Sequence, residues 1–246
     1  MKSLKSQVWK CLIALTILVS WGCLESMATV TTSEVQSLRR KKGKEVVDVG
    51  KSLVEIAECA SRDSVNQAVD LVFVIDGSFT MKDLGKKVEE RIADMARVFE
   101  ESAIDYQFAL IWYQNFSGRP QITVKPLQRG LLPIQENFRR PSMAKFMGPV
   151  AGYGLDAIMK GLTELSFRWD AEKHFVVVTN SALKTAGETG RKKNEVVNKI
   201  LDWCELDEIR INVIGISERI QIQLADQTGG KWYGINKKLR VSTKDS

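Results

Sequence analysis

Three short runs of this chain, Ala68–Ile75 (AVDLVFVI), His174–Val178 (HFVVV) and Ile211–Ile216 (INVIGI), are apolar at nearly every position. A strand with one wet face alternates apolar and polar residues; a run without that alternation is covered on both faces. The stretches between them repeat at helical spacing instead. Leu84, Val88, Ile92, Met95 and Phe99 mark one helix face, and Leu155–Leu165 and Asn194–Cys204 read the same way. Buried strands separated by amphipathic helices predict an α/β fold, a three-layer, doubly wound, mostly parallel sheet of Rossmann-like type. Gln107–Trp112 and Gln121–Val124 form a strand pair across Asn115–Pro120, which adds one antiparallel edge strand. Lys231–Ile235 reads as a last short strand, and 131–146 as a short helix interrupted at Pro141.

The first residues do not belong to that fold. Lys2, Lys5 and Lys10 precede Cys11–Trp21, an apolar run too short to span a bilayer, which is the pattern of a signal peptide over 1–28. Two endings fit. Ser26-Met27-Ala28 is a small-x-small cleavage site, whereas Gly22-Cys23 loosely resembles a lipobox, with Cys23 lipidated to make a membrane-associated lipoprotein. A third alternative is that the segment stays uncleaved as an anchor; each of these puts the chain in the exported class, in the cell envelope or secreted. Residues 29–67 then hold a basic linker (Arg39-Arg40-Lys41-Lys42, Lys44) and an amphipathic helix over 46–60 with Val46, Val49, Leu53, Ile56 and Ala60 on one face. That seam serves either as packing on the domain that follows or as a self-association surface. The main domain is expected over 68–240, with 241–246 as a tail.

The balance of 36 basic and 30 acidic residues does not argue for nucleic acid, because the excess is scattered. Residues 1–28 hold three bases against one acid, and 69–246 hold 26 against 23, so the domain itself is nearly balanced. The Arg39–Lys44 run is better placed to meet anionic headgroups if Cys23 is lipidated. Export also bears on the cysteines. Cys59 and Cys204 are left in a compartment where a disulfide persists, and the alternatives are that bond or two buried thiols. Catalysis by a histidine would have to use His174, the only one in the chain. It opens its strand, roughly 20 Å from the far end, and reads as a partly exposed strand residue. No nucleotide-binding glycine pattern follows a strand. The expectation is a non-enzymatic protein with no small-molecule substrate.

In open α/β sheets, ligands bind beyond the carboxyl ends of the strands. Asp76-Gly77-Ser78-Phe79-Thr80, Gly148–Gly154 and Thr179-Asn180-Ser181 should converge there. Asp76, Ser78 and Thr80 alternate, so one carboxylate and two hydroxyls face one point, a hard-oxygen set of the kind that suits Mg²⁺. Phe79, Gly152, Tyr153 and Ser181 lie on the same loops and are the candidate partner-binding residues. Asp76-Gly77-Ser78 also reads more plainly, as a helix-capping arrangement.

The segment DLVFVIDGSFTM (70–81) resembles the opening of a von Willebrand factor A (VWA) domain, whose metal-ion-dependent adhesion site (MIDAS) begins Asp-x-Ser-x-Ser. Leu224–Tyr233 is similar to that family's last helix and strand, and 154–180 to bacterial members. The resemblance spans roughly 68–240 and implies a recognition domain that binds protein partners, in some members through a metal. Asp76, Ser78 and Thr80 carry over to its first motif, with Thr80 in place of a serine. The second motif's threonine has no counterpart, since the aligned loop offers Ala151, Gly152 and Tyr153. The third motif's aspartate is Asn180. A degenerate MIDAS is therefore expected, with Mg²⁺ or another divalent cation held weakly or absent. The alternative is a structural envelope module whose binding surface is the 46–60 helix, with inert top loops.

Overall fold

The computed structural model describes residues 48–116, 119–139, 153–186 and 190–235. The expectations for the signal peptide, Cys23, the basic linker, Ala151 and Gly152 lie outside the described residues. Six strands are described: β1 Ala68–Asp76, β2 Asp105–Phe116, β3 Arg119–Arg129, β4 Glu172–Val178, β5 Ile209–Gly215 and β6 Trp232–Gly234. Six α-helices accompany them: α1 Val49–Asp63, α2 Lys82–Glu101, α3 Leu131–Arg139, α4 Gly154–Glu164, α5 Gly190–Leu206 and α6 Arg219–Gln227. The sheet order is β3-β2-β1-β4-β5-β6, with β3 antiparallel and all other pairs parallel. This is the expected doubly wound α/β architecture, including its antiparallel edge.

All nine residues of β1 are buried, because helices cover both sides of the sheet. Val69, Leu71, Phe73 and Ile75 point into one core, shared with Leu53 and Ile56 of α1, Val88 and Ile92 of α2, and Phe138 of α3. Val72 and Val74 point into the other, shared with Ile158 of α4, Ile200 of α5 and Leu224 of α6. The pair β2–β3 runs longer than its apolar segments. Its ladder extends from Gln107↔Arg129 to Phe116↔Arg119, with a bulge at the step from Phe108 to Leu110 that leaves Pro126 off the ladder.

The described helix ahead of β1 belongs to the same compact unit as the sheet. Asp48 caps α1 by accepting from Gly50 N at 2.9 Å, and Val49, Leu53, Ile56, Ala57 and Ala60 are buried in the first core. The apolar face of this helix therefore packs on the domain that follows, the first of the two uses open to its seam, and leaves no apolar seam on the helix for a partner.

An unexpected feature is a buried ion pair at the amino ends of the strands. Asp70, fully buried in β1, accepts from Arg168 N at 2.7 Å and from its Nε at 2.8 Å. Arg168 also donates to the Val69 and Asp105 carbonyls and to the Asp105 carboxylate. Both charges have full sets of partners, as buried charges require.

Candidate functional site

Strand order reverses about β1, whose neighbours β2 and β4 lie on either side, so the crevice above β1 and β4 is the switch point of the sheet. Pairing of Ile75 with Val178 brings Asp76 beside Thr179, and pairing of Asp76 with Tyr113 brings a phenol to the other flank. The local sequence then turns sharply. Ser78 adopts extended backbone, a single 3₁₀ turn covers Phe79–Met81, and α2 starts at Lys82. This turn aims Ser78 and Thr80 back toward the strand ends.

Asp76 is fully buried, and its carboxylate accepts three hydrogen bonds: Ser78 N to Oδ1 at 2.9 Å, Thr179 Oγ1 to Oδ2 at 3.0 Å and Ser181 Oγ to Oδ2 at 2.9 Å. Above it, Ser78 Oγ and Thr80 Oγ1 are 3.1 Å apart, and Thr80 Oγ1 donates to Asn180 Oδ1 at 3.3 Å. Asn180 Nδ2 donates in return to the Thr80 carbonyl at 2.9 Å. The structure thus brings Asp76, Ser78, Thr80, Asn180 and Ser181 together as expected, and links them by hydrogen bonds to one another. Phe79 projects from the same turn with 62% of its surface exposed. Tyr153 stands at the start of α4, whose Gly154 packs so closely that an added Cβ would meet Leu183 Cδ2 at 2.4 Å.

Three further residues belong to this site. Thr179 ties the Asp76 carboxylate to the β4 loop. Tyr113 is buried with its hydroxyl beside Thr179 but outside hydrogen-bonding geometry. Burial first, and the Asp76 charge second, push its phenol well above the ordinary value, so it is a neutral donor. Gln221 of α6, also fully buried, donates from Nε2 to the Ser181 carbonyl at 2.8 Å and holds the third loop in place. A polar residue beside Ile220 on an apolar helix face was the available signal for Gln221. Tyr113 had none, because its closeness to Asp76 depends on strand register.

The remaining candidates lie elsewhere, and two readings are corrected. His174 is not partly exposed: only 2% of its surface is accessible, because α1 and the Arg210–Glu172 ion pair cover its end of the sheet. Asn212 Nδ2 donates to its Nδ1 at 3.3 Å, and burial, then the Arg210 charge, pull its imidazole down to about 4. It is neutral near pH 7. The Cys59–Cys204 disulfide does not form, and both thiols are free. Cys59 sits on α1, whereas Cys204 lies in the core on the opposite face of the sheet, where burial pushes its thiol up to about 12.

Within the site the carboxylate has no histidine or thiol beside it, and no His/Cys/Asp/Glu group of three gathers anywhere among the described residues. The oxygen spacings of 3.1 and 3.3 Å lie near the edge of a Mg²⁺ octahedron, about 2.9 Å. What the set lacks is charge. It offers one carboxylate, already satisfied by three donors, and three neutral oxygens. Compared with family models and with curated proteins, the chain matches none.

Proposed function

We propose that this chain is an exported, non-enzymatic VWA-like module that binds a protein partner through the loops at the carboxyl edge of its sheet. The observation that carries the proposal is Phe79. A large apolar side chain stands 62% exposed on a turn whose neighbours are fixed by a hydrogen-bonded polar cluster. Binding energy concentrates in aromatic anchors surrounded by polar rims, and Phe79 beside Ser78, Thr80 and Asn180 has that composition. The resemblance of 70–81 to the first VWA motif supports the same surface. The signal-like segment 1–28, with Cys23 as a lipidation point, supports an envelope location, and the Arg39–Lys44 run would add attraction to a membrane surface.

In this proposal the MIDAS is degenerate. Mg²⁺ gives up its water reluctantly and is held by carboxylates. Here the only carboxylate already serves Ser78, Thr179 and Ser181, so Asp76 acts as a knot that shapes the loops, and no step of recognition runs through a metal. The 46–60 helix does not offer a rival surface, since its apolar face is buried within the domain.

A photo-crosslinking residue at position 79 tests the reading in the native cell. It is expected to give one discrete protein adduct, absent when the crosslinker replaces exposed Glu90 of α2. Adding Ser78→Ala and Asn180→Ala should weaken the adduct. Indistinguishable products from positions 79 and 90 would refute the assignment of this surface.

A further inference from the structure

On the sheet face that α1 covers, one buried side chain joins two strands to the segment entering a third. Asn212 of β5 accepts at Oδ1 from Lys231 N, just ahead of β6, at 3.1 Å. Its Nδ2 donates to Nδ1 of the buried His174 in β4 at 3.3 Å. A backbone N–H can only donate, so the amide oxygen must face Lys231 and the amide nitrogen must face the ring. That fixes the neutral tautomer of His174, with its hydrogen on Nε2. The Nε2 atom is buried without a hydrogen-bond partner, and Glu172 Oε1 stands 3.8 Å away.

The charged groups around the ring come from three elements. Glu172 lies on its own strand, Arg210 on β5 and Asp63 at the end of α1, and Arg210 pairs with both acids. β1 sets only Leu71 against His174. Lys231 is tied to α1 as well, through its Nζ and Glu55 Oε1 at 2.7 Å.

A proton added to this ring goes to Nδ1, the nitrogen that carries no hydrogen. The new N–H then meets the Asn212 NH₂ group, donor against donor. Turning the amide end for end gives the ring an acceptor but presents the NH₂ group to Lys231 N. In both arrangements one N–H of the chain loses its acceptor, and the imidazolium also stands near the Arg210 charge. The element best able to yield is β6, three residues long at the end of the sheet. Its flanks are held to β5 by Val213 N donating to the Lys231 carbonyl and Ile235 N to the Gly215 carbonyl, each at 2.8 Å.

We propose that the His174–Asn212–Lys231 chain is a proton-operated latch, which holds β6 on the sheet while His174 is neutral and loosens it when Nδ1 takes up a proton. Among the described residues β6 alone covers that edge of β5, so opening leaves a row of unpaired backbone groups there. The latch does not depend on the role of Asp76.

Hydrogen exchange followed by NMR on the full chain, corrected for the intrinsic rate at each pH, tests the proposal. At pH 7 the amides of Lys231, Val213 and Ile235 should be less protected than that of Phe73 in β1, because the edge opens without the whole domain unfolding. From pH 7 to pH 5 their opening constants should rise about twentyfold, the linkage expected when a ring held near 4 in the closed state returns to 6.5 on opening. His174→Gln, which takes up no proton, should remove that rise. Asn212→Asp serves as a second variant: its carboxylate accepts from Lys231 N and from a protonated ring together, so acid should no longer loosen the edge. His174 is the only histidine, so its ring nitrogens can be read directly, and they should show the Nε2–H form at pH 7. Edge amides as protected as Phe73 at both pH values, opening constants equal at pH 5 and 7, an unchanged rise in either variant, or an Nδ1–H ring would each overturn the latch.

Discussion

Replacing Asp76 with alanine separates two roles for the carboxylate, a metal ligand or a knot between loops. The side chain is fully buried and accepts from Ser78 N, Thr179 Oγ1 and Ser181 Oγ. A hydrogen bond to a charged group contributes about 1.5–3 kcal/mol. The three losses do not simply add. The Thr179 and Ser181 hydroxyls are 3.2 Å apart and can turn to each other, whereas the Ser78 N–H is left without an acceptor. One full and two partial losses make about 3 kcal/mol of destabilisation for Asp76→Ala. Asp76→Asn keeps an oxygen for Ser78 N and an amide that both hydroxyls can accept from, so about 1 kcal/mol is expected.

Urea unfolding followed by circular dichroism, in EDTA and again with about 1 mM Mg²⁺, measures both roles together. A knot predicts the full loss in EDTA and almost no effect of Mg²⁺. With a dissociation constant of about 1 mM or weaker, that ion concentration adds no more than about 0.4 kcal/mol. A metal ligand predicts the reverse. Without metal, removing a buried carboxylate would relieve uncompensated charge and leave the protein as stable or more so, and the loss would appear only with Mg²⁺. Asp76→Ala within about 1 kcal/mol of the parent in EDTA, or a Mg²⁺ gain of about 1.4 kcal/mol in the parent, corresponding to a constant near 0.1 mM, would refute the knot.

Two further outcomes follow from the fold. His174 has its folded value lowered to about 4 from 6.5, so between these pH values the unfolded chain binds more protons. Its contribution is fully present above about pH 6.5 and fades toward pH 4, a loss of about 3 kcal/mol; His174→Gln should flatten that part of the stability–pH curve, and parallel curves for the two proteins would contradict its burial. Leu53→Ala removes a fully buried side chain of α1 and should lower unfolding stability by about 2–5 kcal/mol in the same urea assay, whereas a loss under about 1 kcal/mol would mean that α1 is not part of the core.

The parts of this molecule that could be read from its sequence share one property: the information lies within a few residues. The non-alternating runs at 68–75, 174–178 and 211–216 could only be strands covered on both faces, and β1, β4 and β5 are such strands. The alternation of Asp76, Ser78 and Thr80 likewise placed three oxygens at one strand end. Tyr113, Gln221 and the Asp70–Arg168 pair were not legible in this way. Each depends on which strand or loop lies alongside, and Arg168 is 98 residues from its partner. Apolar periodicity says which face a residue occupies, but not what covers the end of that face. His174 was misjudged for that reason. A residue near the start of a strand is exposed by default, and only the packing of α1 with the Arg210–Glu172 pair buries it.

The same limit explains why α1 could be read as a helix but not assigned to the domain. Its seam of Val49, Leu53, Ile56 and Ala60 specifies an apolar stripe, and such a stripe fits a partner chain as well as its own core. The choice rests on facts outside the helix. β1 is buried on both faces, so the sheet needs a cover on the side away from α4, α5 and α6, and α2 and α3 are joined there by α1. Lys231 beside β6 and Arg210 of β5 then tie Glu55 and Asp63 of α1 to strands far along the chain. With its stripe committed to the interior, α1 leaves the proposed recognition surface to the turn at the carboxyl ends of the strands, where exposed Phe79 stands beside the hydrogen-bonded cluster of Ser78, Thr80 and Asn180.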